Sequence, residues 1–238
     1  MGPAADVSPA LGRPSWAAQA LTVLQKDLTI EARSGEVVVS SGFFAVLVVV
    51  LASLSFYAGM AEAAHVASGV IWLSVAFAAV LALGKSWQRE REESALDGLL
   101  VAPLSRSAIF AGKALGVFVF LVAIECVVIP LAALLFALDL TRVGAGLVLI
   151  ALFATPGVAA SGTLFGAMTV RTQARDLLLA TVLFPLLAPT LLAAVAGSRA
   201  LLGGAPIEEL VDYFKLMLAF DVVFVSGGLG LFGSLIER

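Results

Sequence analysis

The feature that most constrains this chain is a set of six long apolar runs, roughly Val37–Met60, Val66–Leu83, Ile109–Leu138, Ala145–Val170, Leu177–Val195 and Leu216–Ile236. A helix needs about 20 apolar residues to cross a bilayer. Lipid offers backbone amides no partners, so each run is expected to be a helix. An outer-membrane barrel would need apolar and polar residues to alternate, and here they do not. Charged residues make up 13% of the 238 residues, against roughly one quarter in soluble domains. The predicted fold class is all-α: a polytopic membrane protein with six transmembrane helices. The third run is long and contains Pro130, which predicts a kink or an interfacial end.

The basic residues set the orientation. With six spans both termini share a side, and Arg13, Lys26, Arg33, Lys85, Arg89, Arg91, Arg106, Lys113, Arg171, Arg175 and Arg238 fall there. Only Arg142, Arg199 and Lys215 fall on the other, so eleven of the 14 Lys and Arg lie on one side. The positive-inside rule makes that side cytoplasmic. Residues 1–15 read as a disordered tail, and residues 16–238 as one transmembrane domain. Within that domain, 16–36 reads as an amphipathic interfacial helix, with Trp16, Ala20, Val23, Leu24, Leu28 and Ile30 among interspersed charges. Residues 197–215 read as short helices dipping into the outer interface. The first 36 residues lack an early apolar core with a small-residue cleavage site, so no cleavable leader is expected.

Composition excludes several classes. A net charge of −3 is too weak to imply a nucleic-acid partner. One cysteine and one histidine exclude an internal disulfide and a metal cage built on those ligands. A phosphate-cradling loop needs G-x-x-x-x-G-K-[ST]. The stretch Ala79 to Ser86 ends Gly84-Lys85-Ser86, lacks the first glycine, and grows out of a span. ATP hydrolysis, if it drives this protein, is expected in a partner subunit.

The largest gap between spans holds the densest charge: REREESALDGLLVAPLSRSAIFAGK, Arg89 to Lys113. From Ser86 it has helical character, with Trp87, Leu96, Leu99 and Leu100 sharing a side. Arg89 and Glu92 belong to a charged collar behind an apolar tip that runs through Val101. Pro103 ends the helix, and Ser105 or Ser107 is placed to cap the next span. An exposed Leu-Leu-Val tip is costly unless covered, by lipid headgroups or by another protein's groove. Charge on both sides of the tip favours a protein.

These stretches carry a resemblance. KDLTIEARSGE before the first span, the stretch REREESALDGLLVAPLSRSAIFAGK and the apolar third span with Glu125 are similar to permease subunits of ABC transporters. Over residues 16–238 the chain most closely resembles the heme exporter protein B (CcmB) family of cytochrome c maturation. The resemblance implies an ATPase-coupling helix at 85–108, with Arg89, Glu92, Leu96, Leu99, Leu100, Val101 and Pro103 meeting an ABC ATPase subunit. It implies heme-handling membrane subunits as further partners, a homodimer of this permease in the complex, and the bacterial inner membrane. No directly bound cofactor is expected: ATP belongs to the ATPase and heme to partner proteins.

Two acids lie inside spans. Glu125 is placed near mid-membrane, where it must face the bundle interior, be paired or stay protonated. Its functional reading is a substrate path or a subunit contact, and its bland reading is a hydrogen-bonded packing acid. Asp221, five residues into the last run, is placed within reach of water at the outer interface. Gly162 and Gly166, and Ser226, Gly230 and Ser234, repeat at four-residue spacing and mark faces for close helix packing, within one bundle or across a dimer. His65 stands in a short outer loop, where a lone histidine is more often unremarkable than a heme ligand. Cys126 reads as a buried small apolar side chain.

Rival functions find less support. A membrane-embedded hydrolase built on Ser161 and His65 lacks a second catalytic partner. A secondary transporter would ordinarily show repeats or more buried polar residues. A permease for lipid-linked or drug-like substrates stays open as an alternative.

Overall fold

The computed structural model describes residues 14–56, 60–92, 98, 101–169 and 175–236; the side chains of 60–64, 91–92, 169 and 175–180 are outside the description. The described residues contain seven α-helices and no strand: α1 (Trp16–Ser34), α2 (Glu36–Ser55), α3 (Met60–Glu92), α4 (Arg106–Leu135), α5 (Leu140–Thr169), α6 (Arg175–Leu202) and α7 (Val211–Ile236). Helices α2 to α7 contain six stretches long and apolar enough to cross a membrane, and the protein is a multi-pass membrane protein. Residues 1–13, most of the predicted tail, fall outside the description.

Helix α1 starts at Ser15, whose hydroxyl accepts the Ala18 N–H, and stops at Gly35. Gly35 adopts a left-handed φ of 62°, a conformation that costs glycine nothing. Its N–H satisfies Glu31 O at 2.7 Å, and α2 begins at the next residue. One glycine thus converts an interfacial helix into a spanning one.

Helix α3 differs from the sequence reading. The predicted span ended at Leu83 and a separate loop began at 85, but α3 runs without a break to Glu92 over 33 residues. No proline interrupts it, and Lys85, Arg89 and Glu90 near its end find partners on α1 and α2. Helix α4 starts at Ser105, whose hydroxyl accepts the Ala108 N–H at 3.3 Å, and continues through Pro130. The 197–215 segment holds the end of α6, a 3₁₀ turn at Ile207–Leu210 and the start of α7.

Of the six, α3 is the most buried and α2 and α7 the least. Gly162 and Gly166 of α5 pack inside the chain: a Cβ at either would collide with the Leu83 or Trp87 side chain of α3. Ser226, Gly230 and Ser234 instead sit on the exposed side of α7, where Gly230 has open space around it. Trp87, Phe110 and Phe232 fill the core at the charged end, and Trp72, Ile150 and Met217 fill it at the opposite end.

Candidate functional site

The end of α3 and the start of α4 are joined by a cluster of buried charge. Helix α1 crosses α4 at Gly112, where any Cβ would lie 2.6 Å from Ala20 O and from Val23 Cβ. Only glycine admits that approach. It brings the α1 stripe Gln19, Ala20, Val23, Asp27 and Glu31 onto α3 and α4, so two acids turn inward with the apolar residues. Lys113, 3% exposed, lies about 10 Å inside α4 at 1.5 Å per residue. Its Nζ donates to Asp27 at 2.9 Å and makes a very short contact to Glu90. Lys26 Nζ joins Glu90 Oε1 at 2.6 Å and Asp27 Oδ1 at 3.2 Å.

A second group continues the cluster toward the α1–α2 turn. Glu36 Oε1 accepts from Lys85 Nζ at 3.0 Å, and its Oε2 from Arg89 Nη2 at 3.3 Å. Arg89 also donates to Ser34 Oγ at 3.1 Å and lies 3.7 Å from Glu31. The other Glu31 oxygen, Oε1, accepts the Val38 N–H at 2.7 Å and so caps the first turn of α2. Four acids (Asp27, Glu31, Glu36, Glu90) thus meet four bases (Lys26, Lys85, Arg89, Lys113), and the group is neutral. Burial by itself depresses the Lys26 ammonium, but Asp27 and Glu90 outweigh it and hold its pKa above the ordinary 10.5. Two contacts near the start of α1 extend the seam. Trp16 Nε1 donates to Ser107 Oγ at 3.0 Å, and the Ser105 N–H donates to Gln19 Oε1 at 2.8 Å.

The coupling residues proposed from sequence fall in three groups. Arg89 is committed to α1 and α2 and is no free collar. Val101, 88% exposed, and Pro103, also exposed, present the end of the segment to the outside. Leu96, Leu99, Leu100 and the Glu92 side chain lie outside the described residues. Gly84-Lys85-Ser86 is helical and Lys85 is ion-paired, so the phosphate-loop look-alike has no loop. Sequence reasoning missed the inward role of Asp27, Glu31, Glu90 and Lys113. The available signal was Lys113 itself, a charge inside an apolar run that demands a partner.

The intramembrane acids lie at one depth. Glu125 is ten residues from the end of α4, and Asp221 is ten residues from the start of α7. Each is therefore about 15 Å from the far end of its helix. This corrects the placement of Asp221 near outer water, because α7 begins at Val211, earlier than the apolar run suggested. Both acids meet α5 beside Pro156. Thr155 Oγ1 donates to Glu125 Oε1 at 2.7 Å, and Asp221 Oδ1 abuts Gly157, whose Cβ, if present, would collide with it. Cys126 is exposed, which overturns its reading as a buried side chain: position 126 falls on the outer face of α4, one step round from Glu125. His65 is exposed.

A bundle of six helices long and apolar enough to cross a membrane, with an ion-paired helix packed along its charged end, defines a multi-pass integral membrane protein. The model of the family described as CcmB protein matches residues 18–230, and the chain belongs to that family. It is 27% identical to heme exporter protein B of Bradyrhizobium diazoefficiens over 182 residues, 76% of this chain and 82% of that protein. It is 30% identical to heme exporter protein B of Rhodobacter capsulatus over 175 residues, 71% of this chain and 78% of that one.

Proposed function

We propose that this chain is the non-catalytic permease subunit of an ABC transporter for heme export in cytochrome c biogenesis. It sits in the bacterial inner membrane with both termini in the cytoplasm and works as a pair of copies. The 85–108 segment docks into a separate ATPase subunit, which hydrolyses the ATP, while heme is handled by partner membrane subunits. The family and the names of its relatives support the heme assignment.

The observation that carries the coupling reading is the buried Asp27–Lys113–Glu90 contact, which ties α1, α3 and α4 together at the foot of the segment. A tip hung on a floppy loop would absorb an applied displacement. A tip whose two supporting helices are locked together passes it on to both spans at once. The displacement then serves either heme transfer or release of a loaded heme chaperone.

Replacing Leu99 and Leu100 together by Asp is expected to abolish co-purification of the ATPase while leaving membrane insertion unchanged. Undiminished ATPase binding would remove the coupling reading.

A further inference from the structure

A groove of about 360 Å³ opens between α4 and α5 on the outer face of the bundle. Its walls are Val122, Cys126 and Ile129 on one side and Gly144, Val148 and Ala151 on the other, and Glu125 forms part of its floor. Gly144 and Ala151, two turns apart on one face of α5, keep that side low. Glu125 is 4% exposed. One carboxyl oxygen accepts a hydrogen bond from the Thr155 hydroxyl, and among the described residues the other has no hydrogen-bond partner. A single buried acid therefore borders a groove that is otherwise apolar, at mid-membrane depth.

Lipid chains would fill the volume but would leave that oxygen without a partner, at a cost of a few kcal/mol in hydrocarbon. A second copy of this chain is a poor match among its described residues. At this depth its outer faces show Leu47 and Leu51 on α2, Val222 and Val223 on α7 and, on α4, the Cys126 thiol, a weak donor, and the nearby Ser226 hydroxyl is already donated to Val222 O. From the groove's shape and its single acid we infer that the α4–α5 groove seats a transmembrane helix of a different protein, one that carries a hydroxyl or carboxamide side chain, able both to donate and to accept, level with Glu125. Small residues allow close approach and the polar pair fixes depth and register, the combination that drives helix association in lipid. The inference rests on this chain being a subunit of a larger membrane complex, and it concerns a surface remote from the 85–108 segment.

The test uses the intact complex purified from native membranes. Gly144 lines the groove and a Cβ there meets only its own Leu140, at ordinary contact distance, so Gly144→Trp projects its ring from an uncrowded position into the groove. It is expected to lower recovery of one integral membrane subunit at least tenfold and to leave ATPase recovery unchanged. Glu125→Leu is expected to do the same, and Glu125→Gln to retain the subunit. Cys126, the only cysteine, carries a photoactivatable maleimide that is expected to cross-link to that same subunit in the parent complex. Full recovery of every membrane subunit with Gly144→Trp overturns the inference. So does a cross-link only to lipid, or only to a second copy of this chain. Loss of the ATPase alone in the Leu99/Leu100 variant bears on the coupling reading and leaves this one standing.

Discussion

At the charged end Asp27 and Glu90 lie against Lys26 and Lys113, whereas at mid-membrane Glu125 has a threonine hydroxyl and Asp221 a glycine backbone beside it. Both regions bury carboxyl groups, and they solve the problem differently. Near the membrane surface the chain gathers acids and bases in equal number, so each buried charge has an opposite within a few ångströms. In the middle of the bundle no base is brought up among the described residues, and the acids depend on hydroxyl and backbone dipoles. The first arrangement fixes three helices in one position. The second sets a carboxyl group at the edge of an open groove, which is what a site for another molecule requires.

The contrast breaks most sharply at Lys113. Lys113→Met leaves Asp27 and Glu90 buried with Lys26 alone, and removing one partner of a buried pair costs about 3–5 kcal/mol. A large fall in the unfolding temperature in detergent is expected, with α1 becoming accessible to protease. An unchanged melting profile would mean the cluster holds nothing together. Next in size is Gly112→Val, which forces α1 off α4. Overpacking of this kind costs about 1–3 kcal/mol, and limited proteolysis of α1 measures it without reference to charge.

The same isosteric change at the two depths sharpens the comparison. Glu125→Gln keeps an acceptor for Thr155 and is expected to shift stability by less than about 1 kcal/mol, the scale of one neutral hydrogen bond. Glu90→Gln removes the acid shared by two lysines and should cost clearly more. Equal effects would erase the distinction drawn between the regions. The smallest effect concerns pH. The Lys26 pKa is raised on folding, so its contribution is fully present below the unfolded value near 10.5 and is lost as pH rises through the higher folded value. Protease accessibility of α1 should therefore grow only above about pH 10.5, and Lys26→Ala should flatten that dependence.

Much of the fold was legible because hydrophobicity is a local property. Each span announces itself by its own residues, and the six runs match the six spans with boundaries displaced by a few positions. The largest displacement, the extension of α3 to Glu92, arose because a charged stretch reads as loop until its partners are known. The site was less legible. The spacing of the apolar residues marks 16–36 as amphipathic, but it does not show that Asp27 and Glu31 fall on the buried stripe with Ala20 and Val23. Cys126 was assigned inward by its small size, although the next residue round the helix from Glu125 faces out.

By itself the sequence determined the number of spanning helices, the side on which basic residues gather and the family resemblance, since each depends on neighbours along the chain. Only the tertiary structure decided which acid meets which base. Lys113 and Asp27 are 86 residues apart, and their contact exists because two helices cross where Gly112 has no side chain. It also decided that Glu125 and Asp221 share a depth and that one of them borders an open groove. Pairing across helices depends on crossing geometry, and that geometry comes from the packing of the whole bundle.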